Sequence, residues 1–204
     1  LLFIFRKNIY VYLRSNGYEE YKYFLRFFGP FIYHIMFTIV SWKAKLIVCR
    51  DHLLNGKPGE IVFPSELNKR WLLSRKKPNL NKVELLYVGR IKVEKGVFSL
   101  LKIFDKLNKK DSKLSIVSSS KTSHKINQKN VEVIHFENKN DEIIEVYDSH
   151  NIFILPSFTE AHPQVLDESL CRLRPVIIFD EISHVVGNRK GVFVSKRDPL
   201  SLSQ

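Results

Sequence analysis

Cysteine is almost absent from this chain, and acidic residues are outnumbered. Cys49 and Cys171 are the only two cysteines, set in apolar or helical surroundings without metal-ligand spacing. That excludes a disulfide framework and a zinc ribbon, and both read as reduced, buried thiols suited to a cytoplasmic compartment. The seven histidines contain no i,i+4 pair, so no helical zinc motif and no metal site are expected. A phosphate-loop pattern and a nucleophile elbow are both missing, and no catalytic serine or cysteine presents itself. There is no internal repeat and no low-complexity tract. A long hydrophobic run is missing too. Residues 24–42 are mostly apolar but interrupted by Arg26, Gly29, Pro30 and His34. The uninterrupted "FIYHIMFTIVSW" falls short of the roughly 20 residues a membrane span requires. It reads as a buried or interfacial helix opened by Pro30. Its aromatic, apolar character beside basic segments also suits docking on an anionic membrane. The first residues, "LLFIF", are too short for a signal peptide's apolar region and have no basic residues before them.

What is present is a globular composition: 44% hydrophobic and 12% aromatic over 204 residues, enough for one large domain or two small ones. Thirty-three Lys and Arg against 21 Asp and Glu give a formal net charge of +12. The excess favours anionic partners, whether nucleotide phosphates, nucleic acid or an acidic membrane surface. It does not choose among them, and a lysine-rich composition explains it equally well. Beginning at Leu1 and finishing at "SKRDPLSLSQ", the sequence reads as an α/β domain tail followed by a domain without its closing C-terminal helix.

The composition shifts at "SRKKPNLNK" (74–82), a basic, polar stretch with Pro78 that reads as a linker. Two domains are therefore expected, 1–77 and 78–204. In the first, "LLFIF", "IYVYL" and "KLIVC" look like strands, "YEEYKYFLRFF" like a helix, and the Pro30 helix lies between. In the second, apolar runs "VELLYVG", "KLSIVS", "VEVIHF", "NIFILPS", "PVIIF" and "GVFVS" predict strands. Between them "GVFSLLKIFDKL", "NDEIIEVYDSH", "PQVLDESLCRL" and "EISHVV" predict helices. Val97, Leu100, Leu101, Phe104 and Leu107 mark the buried stripe of the first of these. Strands and helices alternating at such intervals predict a Rossmann-like, doubly wound parallel sheet, preceded by a partial second α/β domain.

Two stretches carry chemistry. In "GRIKVEKG" (89–96), Gly89 permits a sharp turn at a strand end and Gly96 a close backbone approach at a helix start. Free amides and the dipole there favour a phosphate, and Arg90 and Lys95 add a planar fork and a point charge. In "ILPSFTEAHPQVLDESL" (154–170), Pro163 sits near the first helical position, Glu160 in the loop before it and Glu168 about two turns in. Eight helical residues would separate the two backbones by roughly 12 Å. That is too far for a shared-proton dyad or a retaining glycosidase pair. Such spacing suits an elongated ligand gripped at both ends by its hydroxyls. An ordinary acidic helix start remains the competing reading. Glu168 falls off the Val165/Leu166/Leu170/Leu173 stripe, so it faces a cleft or solvent. Arg172 and Arg174 are expected to complement the dipole of the helix they end.

Together these blocks resemble the carboxy-terminal half of family 4 glycosyltransferases, retaining enzymes of the GT-B fold. "LLYVGRIKVEKGVFSLL" is similar to the family's strand–GR–x4–K–G–helix block. "ILPSFTEAHPQVLDESLCRLRPVIIFDEI" is similar to its P-S-x-x-E-G-x-P-x-x-x-x-E-A motif followed by a P-V-I strand, and "EIVFPSELNKRW" resembles the end of the amino-terminal domain in some members. The order and separation of the blocks match over residues 83–195. The resemblance implies that Arg90 and Lys95 neutralise the donor diphosphate, that Glu168 binds the ribose hydroxyls and that Glu160 contacts the transferred sugar. It also places Gly89 and the loop amides of Ala161 and His162 beside the sugar and phosphate. Two departures stand out: Ala161 where glycine is usual, and "ESLCRLRPV" in place of E-A-x-A-x-G-x-P-V.

The resemblance further implies a UDP- or GDP-sugar donor as substrate rather than a cofactor. It also implies a cell-surface glycan or lipid-linked saccharide acceptor, and work in the cytoplasm or at the membrane's cytoplasmic face. Two other readings are a basic nucleic-acid-binding α/β domain and an inactive remnant of a transferase. Aromatics confined to apolar runs, rather than interleaved with basic residues, argue against a specific nucleic-acid partner.

Overall fold

The computed structural model describes residues 8–62, 65–107, 112–119, 126–136 and 140–204, so the strand expected at 1–5 lies outside them. The chain divides into two compact units, 1–65 and 66–204.

In the first unit, strand β1 (Tyr10–Leu13) is followed by helices α1 (Gly17–Leu25) and α2 (Gly29–Lys43) and strands β2 (Lys45–Val48) and β3 (Gly59–Ile61). The three strands pair in parallel in the order β1-β2-β3, so the helices form the crossover between β1 and β2. The three-residue β3 carries no strand signal of its own in the sequence. Asn16 caps α1 by accepting from the Tyr18 amide, and Pro30 sits in the first turn of α2.

Residues 17–43 are long and apolar enough, taken as one helix, to cross a membrane, with 11% of the most apolar window buried. They do not run as one rod. Tyr18 and Tyr21 pack against Tyr33 with ring centroids 4.7 and 5.5 Å apart, so α1 folds back on α2. Gly29 makes the corner: a Cβ there would lie 1.9 Å from the Tyr21 carbonyl oxygen. The 15 residues of α2 reach only about 22 Å, less than the roughly 30 Å hydrocarbon core of a bilayer.

In the second unit, β4 (Glu84–Val88), α3 (Val97–Asp105), β5 (Lys113–Ser118) and β6 (Val131–His135) come first. They are followed by α4 (Asn140–Asp148), β7 (Ile152–Leu155), α5 (Gln164–Cys171), β8 (Val176–Phe179), β9 (Val192–Ser195) and α6 (Pro199–Ser203). Six parallel strands run in the order β6-β5-β4-β7-β8-β9. This is the doubly wound order, in which the winding reverses between β4 and β7. Alternate residues of each central strand enter different cores. Leu85, Tyr87 and Ile154 pack with Val97, Leu100, Ile103 and Phe104 of α3 on one face. Leu86, Phe153 and Leu155 pack with Tyr147, Leu166, Ile182 and Val185 on the other. Each such fully buried side chain contributes about 1.5–3 kcal/mol. Ile103, not Leu101, completes the buried stripe of α3.

Residues Pro199–Ser203 form a short helix, α6, because Asp198 accepts from the Ser201 amide and Pro199 occupies the first turn. One feature differs from the sequence reading. Arg172 and Arg174, each 1% exposed, serve a helix other than their own. Arg174 donates from Nε to the Tyr147 carbonyl at 2.7 Å and from Nη2 to the Asp148 carbonyl at 3.1 Å, capping the negative end of α4. Arg172 donates to both Asp148 carboxylate oxygens and to the carbonyls of Trp71, Leu73 and Ser74. These bonds, with Trp71 buried in the core, hold the segment after Ser65 to the second unit. They explain why the units part upstream of the basic stretch 74–82.

Candidate functional site at the reversal of strand order

The reversal between β4 and β7 leaves a crevice beyond the carboxyl ends of those two strands, where open α/β sheets hold ligands. Both chemistry-bearing stretches begin there. The loop after β4 carries Gly89, Arg90 and Lys95, and the loop after β7 carries Glu160, Ala161 and His162.

Gly96 brings the two loops together. Its φ is +69°, and a Cβ would fall 1.7 Å from the Pro156 carbonyl oxygen, so only glycine lets the start of α3 pass the end of β7 this closely. The Phe158 amide donates to the Glu94 carbonyl at 3.1 Å, a second tie between the loops. Held in this way, Lys95 donates from Nζ to Glu160 Oε1 at 2.6 Å, with the two side chains 23% and 12% exposed. The same oxygen accepts from the Ser157 hydroxyl at 2.7 Å, and the Glu160 carbonyl lies 2.7 Å from His184 Nε2. Lysine carries three donors, so Lys95 can serve an anion while keeping its carboxylate.

Arg90 and Glu168 form the other part of the site. Both line a cavity of about 250 Å³ with Gly89, Glu66, Trp71 and Phe136. Glu168, the fifth residue of α5 and so little more than one turn in, accepts from the Tyr147 hydroxyl at 2.8 Å. Of the two orientations open to it from sequence, it takes the cleft. Burial raises its pKa, the Tyr147 hydrogen bond partly offsets that, and the Glu66 and Asp167 charges add to the rise. Tyr87 stands between the two parts. Its hydroxyl donates to the Arg90 carbonyl at 2.8 Å, fixing the turn after Gly89. Its pKa is pushed up by burial and then by Glu160, against a lowering by Arg90.

Ala161, where the resemblance leads one to expect glycine, is buried. The His162 ring turns toward α5, with Nε2 3.3 Å from Asp167 Oδ2. Asp167 in turn receives two bonds from Arg189, at 2.7 and 3.2 Å. Among the described residues no group of three or more His, Cys, Asp or Glu is placed to hold a metal ion.

Sequence reasoning assigned no role to Glu66, Tyr147 or Arg197. Glu66 and Tyr147 lie in stretches read only for their resemblance or their helical pattern. Arg197 (Nε 2.6 Å from Glu181 Oε1) lies about 40 residues from the loop it touches. No local pattern signals such a contact.

A search of curated protein sequences finds no match. Among solved structures the chain is similar to a sucrose-phosphate synthase from Thermosynechococcus elongatus, with a TM-score of 0.71 at 17% identity, over 95% of this chain and 56% of that one. It is also similar to WaaG, a glycosyltransferase involved in lipopolysaccharide biosynthesis (TM-score 0.58, 18% identity, 79% and 53% covered). The third is TarM (TM-score 0.66, 12% identity, 93% and 40% covered). The chain thus spans about half the length of the first two, and what they share with it is the fold, the GT-B fold of glycosyltransferases. The family described as "Glycosyl transferases group 1" matches residues 82–204. That is more than half of the sequence, and this chain belongs to that family.

Proposed function

We propose that this chain carries the donor side of a retaining family 4 glycosyltransferase. It takes a UDP- or GDP-sugar and passes the sugar to a cell-surface glycan or a lipid-linked saccharide. The observation that carries the reading is the pairing of Lys95 with Glu160 beside the Arg90–Glu168 cavity, both beyond β4 and β7. The apolar wall of that cavity, with Trp71 and Phe136, suits a nucleobase. Glu168 is positioned for ribose hydroxyls, and Arg90 and Lys95 supply the two cations a diphosphate requires. As the glycosidic bond breaks, negative charge grows on the leaving diphosphate. Cations held in place beforehand stabilise that charge more than they stabilise the bound donor. Glu160, anchored by Ser157 and Lys95, would accept from hydroxyls of the transferred sugar and set its orientation. His162, Ala161 and Gly89 would bring backbone close to the sugar and phosphates.

Contact with an anionic membrane at its cytoplasmic face belongs to the same proposal. Phe24, Phe27, Phe28, Phe31 and Trp42 are exposed along the α1–α2 hairpin, beside Lys22, Arg26 and Lys43. Aromatic rings flanked by basic residues suit the headgroup region.

Isothermal titration of the full chain with UDP, GDP, UDP-glucose and GDP-mannose tests the donor site. Binding of one nucleotide series is expected, with Arg90→Ala and Glu168→Ala each weakening it about tenfold or more. A folded chain that binds neither series overturns the proposal.

A further inference from the structure

We propose that Arg197 is a positioning residue for the Lys95–Glu160 pair, and that through this pair it sets how the sugar end of the donor is held. This rests on the donor-site reading above. The guanidinium has five N–H donors, and all five are used. Nε donates to Glu181 Oε1 at 2.6 Å and Nη2 to Glu181 Oε2 at 3.1 Å. Nη2 also donates to the Ser157 carbonyl at 3.2 Å. Nη1 donates to the Ser99 hydroxyl at 2.8 Å and to the Pro156 carbonyl at 2.9 Å. The planar group lies between two rings, 4.1 Å from the Phe158 centroid and 4.3 Å from that of Phe179.

These contacts reach both partners of the pair from behind. Pro156 and Ser157 open the loop that ends at Glu160, and the Ser157 hydroxyl donates directly to Glu160 Oε1. Ser99 lies in the first turn of α3, which begins two residues after Lys95. Pro156 O, which accepts from Arg197, is the atom that Gly96 passes so closely. One side chain therefore fixes the separation between the backbone carrying the lysine and the backbone carrying the glutamate.

A cation near the N-terminus of α3 opposes that helix's dipole, so the placement is not explained by helix stability. Glu181 supplies the compensating charge. Burial acts to raise its pKa, but the Arg197 hydrogen bond and charge, with its other hydrogen bonds, hold it below the ordinary carboxylate value. Lysine would keep the charge and lose both the fork and the stacking surface. Arg197→Lys therefore removes positioning while preserving electrostatics.

The test compares affinity for UDP and UDP-glucose, and for GDP and GDP-mannose, by titration of the full chain. With Arg197→Lys, the bare nucleotide is expected to weaken only about two- to threefold, since Arg90 and Glu168 are untouched and Lys95 alone of its diphosphate contacts is displaced. The added affinity due to the sugar is expected to fall about tenfold, with Ser157→Ala giving a smaller loss of the same kind. A sugar-to-nucleotide ratio unchanged in Arg197→Lys but lowered in Glu160→Gln overturns the inference.

Should wild type bind neither nucleotide, the donor-site reading fails, and hydrogen exchange then decides for Arg197. Arg197→Lys is expected to raise exchange at the Phe158 amide and across 157–162 while β5 and α5 keep their protection. Unchanged exchange there, or a rise spread evenly over the unit, overturns the proposal. Phe158→Leu, which removes one stacking face, gives the same readouts if Arg197→Lys does not fold.

Discussion

Tyr147 donates its hydroxyl to Glu168 Oε2 at 2.8 Å from a position with no solvent exposure. The bond holds one carboxylate oxygen of Glu168 toward the core, and the residue also lines the cavity. The anchoring sets up a conflict between stability and binding, because burial raises the Glu168 pKa and the Tyr147 bond offsets only part of the rise.

The sign of the pH dependence follows. A carboxyl whose folded pKa exceeds its unfolded value adds stability that is fully present below the unfolded value. That stability is lost as pH rises through the folded value. Ionised Glu168 is therefore a net cost to the fold at neutral pH. Glu168→Gln is expected to melt above wild type at pH 7, the two curves converging below about pH 4, while its nucleotide affinity falls. Tyr147→Phe goes the other way. Left without its donor, the carboxylate costs about 1–3 kcal/mol at pH 7 and less in acid. Thermal melts from pH 3.5 to 8 read both effects, and parallel curves for wild type and Glu168→Gln would contradict the argument.

Gly96→Ala should be among the most damaging small substitutions in the second unit. A left-handed backbone costs a non-glycine residue about 1–2 kcal/mol, and overpacking adds about 1–3 kcal/mol. Here the obstacle is a carbonyl oxygen 1.7 Å from the new Cβ, which cannot rotate away. Gly187→Ala is the control, with φ at +54° and only the Arg189 guanidinium 3.6 Å away. Urea denaturation should show Gly187→Ala losing only the backbone cost and Gly96→Ala roughly twice as much or more.

Much of this arrangement was legible in the sequence. Short apolar runs alternating with amphipathic stretches marked every strand of the six-stranded sheet. The four inner strands need continuous apolar character because both their faces are covered, and the edge strands β6 and β9 keep apolar runs although they are partly exposed. Gly96 was read as a close-approach position because no other residue type serves there. The convergence of Lys95 and Glu160 followed from placing both loops at strand ends. What stayed hidden depends on contacts between segments far apart in the chain. Arg172 and Arg174 look like ordinary basic residues at a helix end, and only the folded chain shows the carbonyls they reach, on α4 and at 71–76. Arg197 sits in a polar tail with no periodic signal. β3 and α6 are too short to leave a pattern, and the one depends on pairing with β2 while the other depends on the Asp198 cap.

Arg172 illustrates the energetic weight of such hidden contacts. All five of its donors are used, two on Asp148 and three on carbonyls of residues 71–74. Removing one partner of a buried ion pair costs about 3–5 kcal/mol when the remaining charge is left uncompensated. Arg174 Nη2 lies 3.4 Å from Asp148 Oδ1 and keeps part of that compensation, so Arg172→Leu should lose about 3 kcal/mol in urea denaturation. It should also free the 66–78 segment, so that trypsin cuts faster after Arg75 and Lys76 under native conditions. Cutting at the wild-type rate would show that Trp71 and the bond from Arg174 to the Lys76 carbonyl hold the segment without Arg172.

The departure at residue 173, leucine where the family pattern has glycine, leads to a prediction of opposite sign from ordinary helix experience. Leu173 has φ of +63°, at the position where the family pattern places glycine, just past the end of α5. The turn is set by the bonds around it: the Leu173 amide donates to the Leu170 carbonyl, and the Arg174 amide to the Ser169 carbonyl, each at 3.0 Å. With its neighbours pinned in this way, residue 173 cannot escape the left-handed region. Leu173→Ala and Leu173→Gly both remove the partly exposed leucine side chain, so comparing them isolates the backbone term. Inside a helix alanine is favoured over glycine by about 1 kcal/mol. Here the left-handed strain of about 1–2 kcal/mol falls on alanine alone. It outweighs the roughly 0.5–1 kcal/mol of extra chain entropy that glycine loses on folding. Leu173→Gly is expected to be the more stable of the two by about 0.5–1 kcal/mol in urea denaturation. An alanine variant equal to or more stable than the glycine variant would mean that the turn relaxes to a right-handed conformation when the leucine is removed.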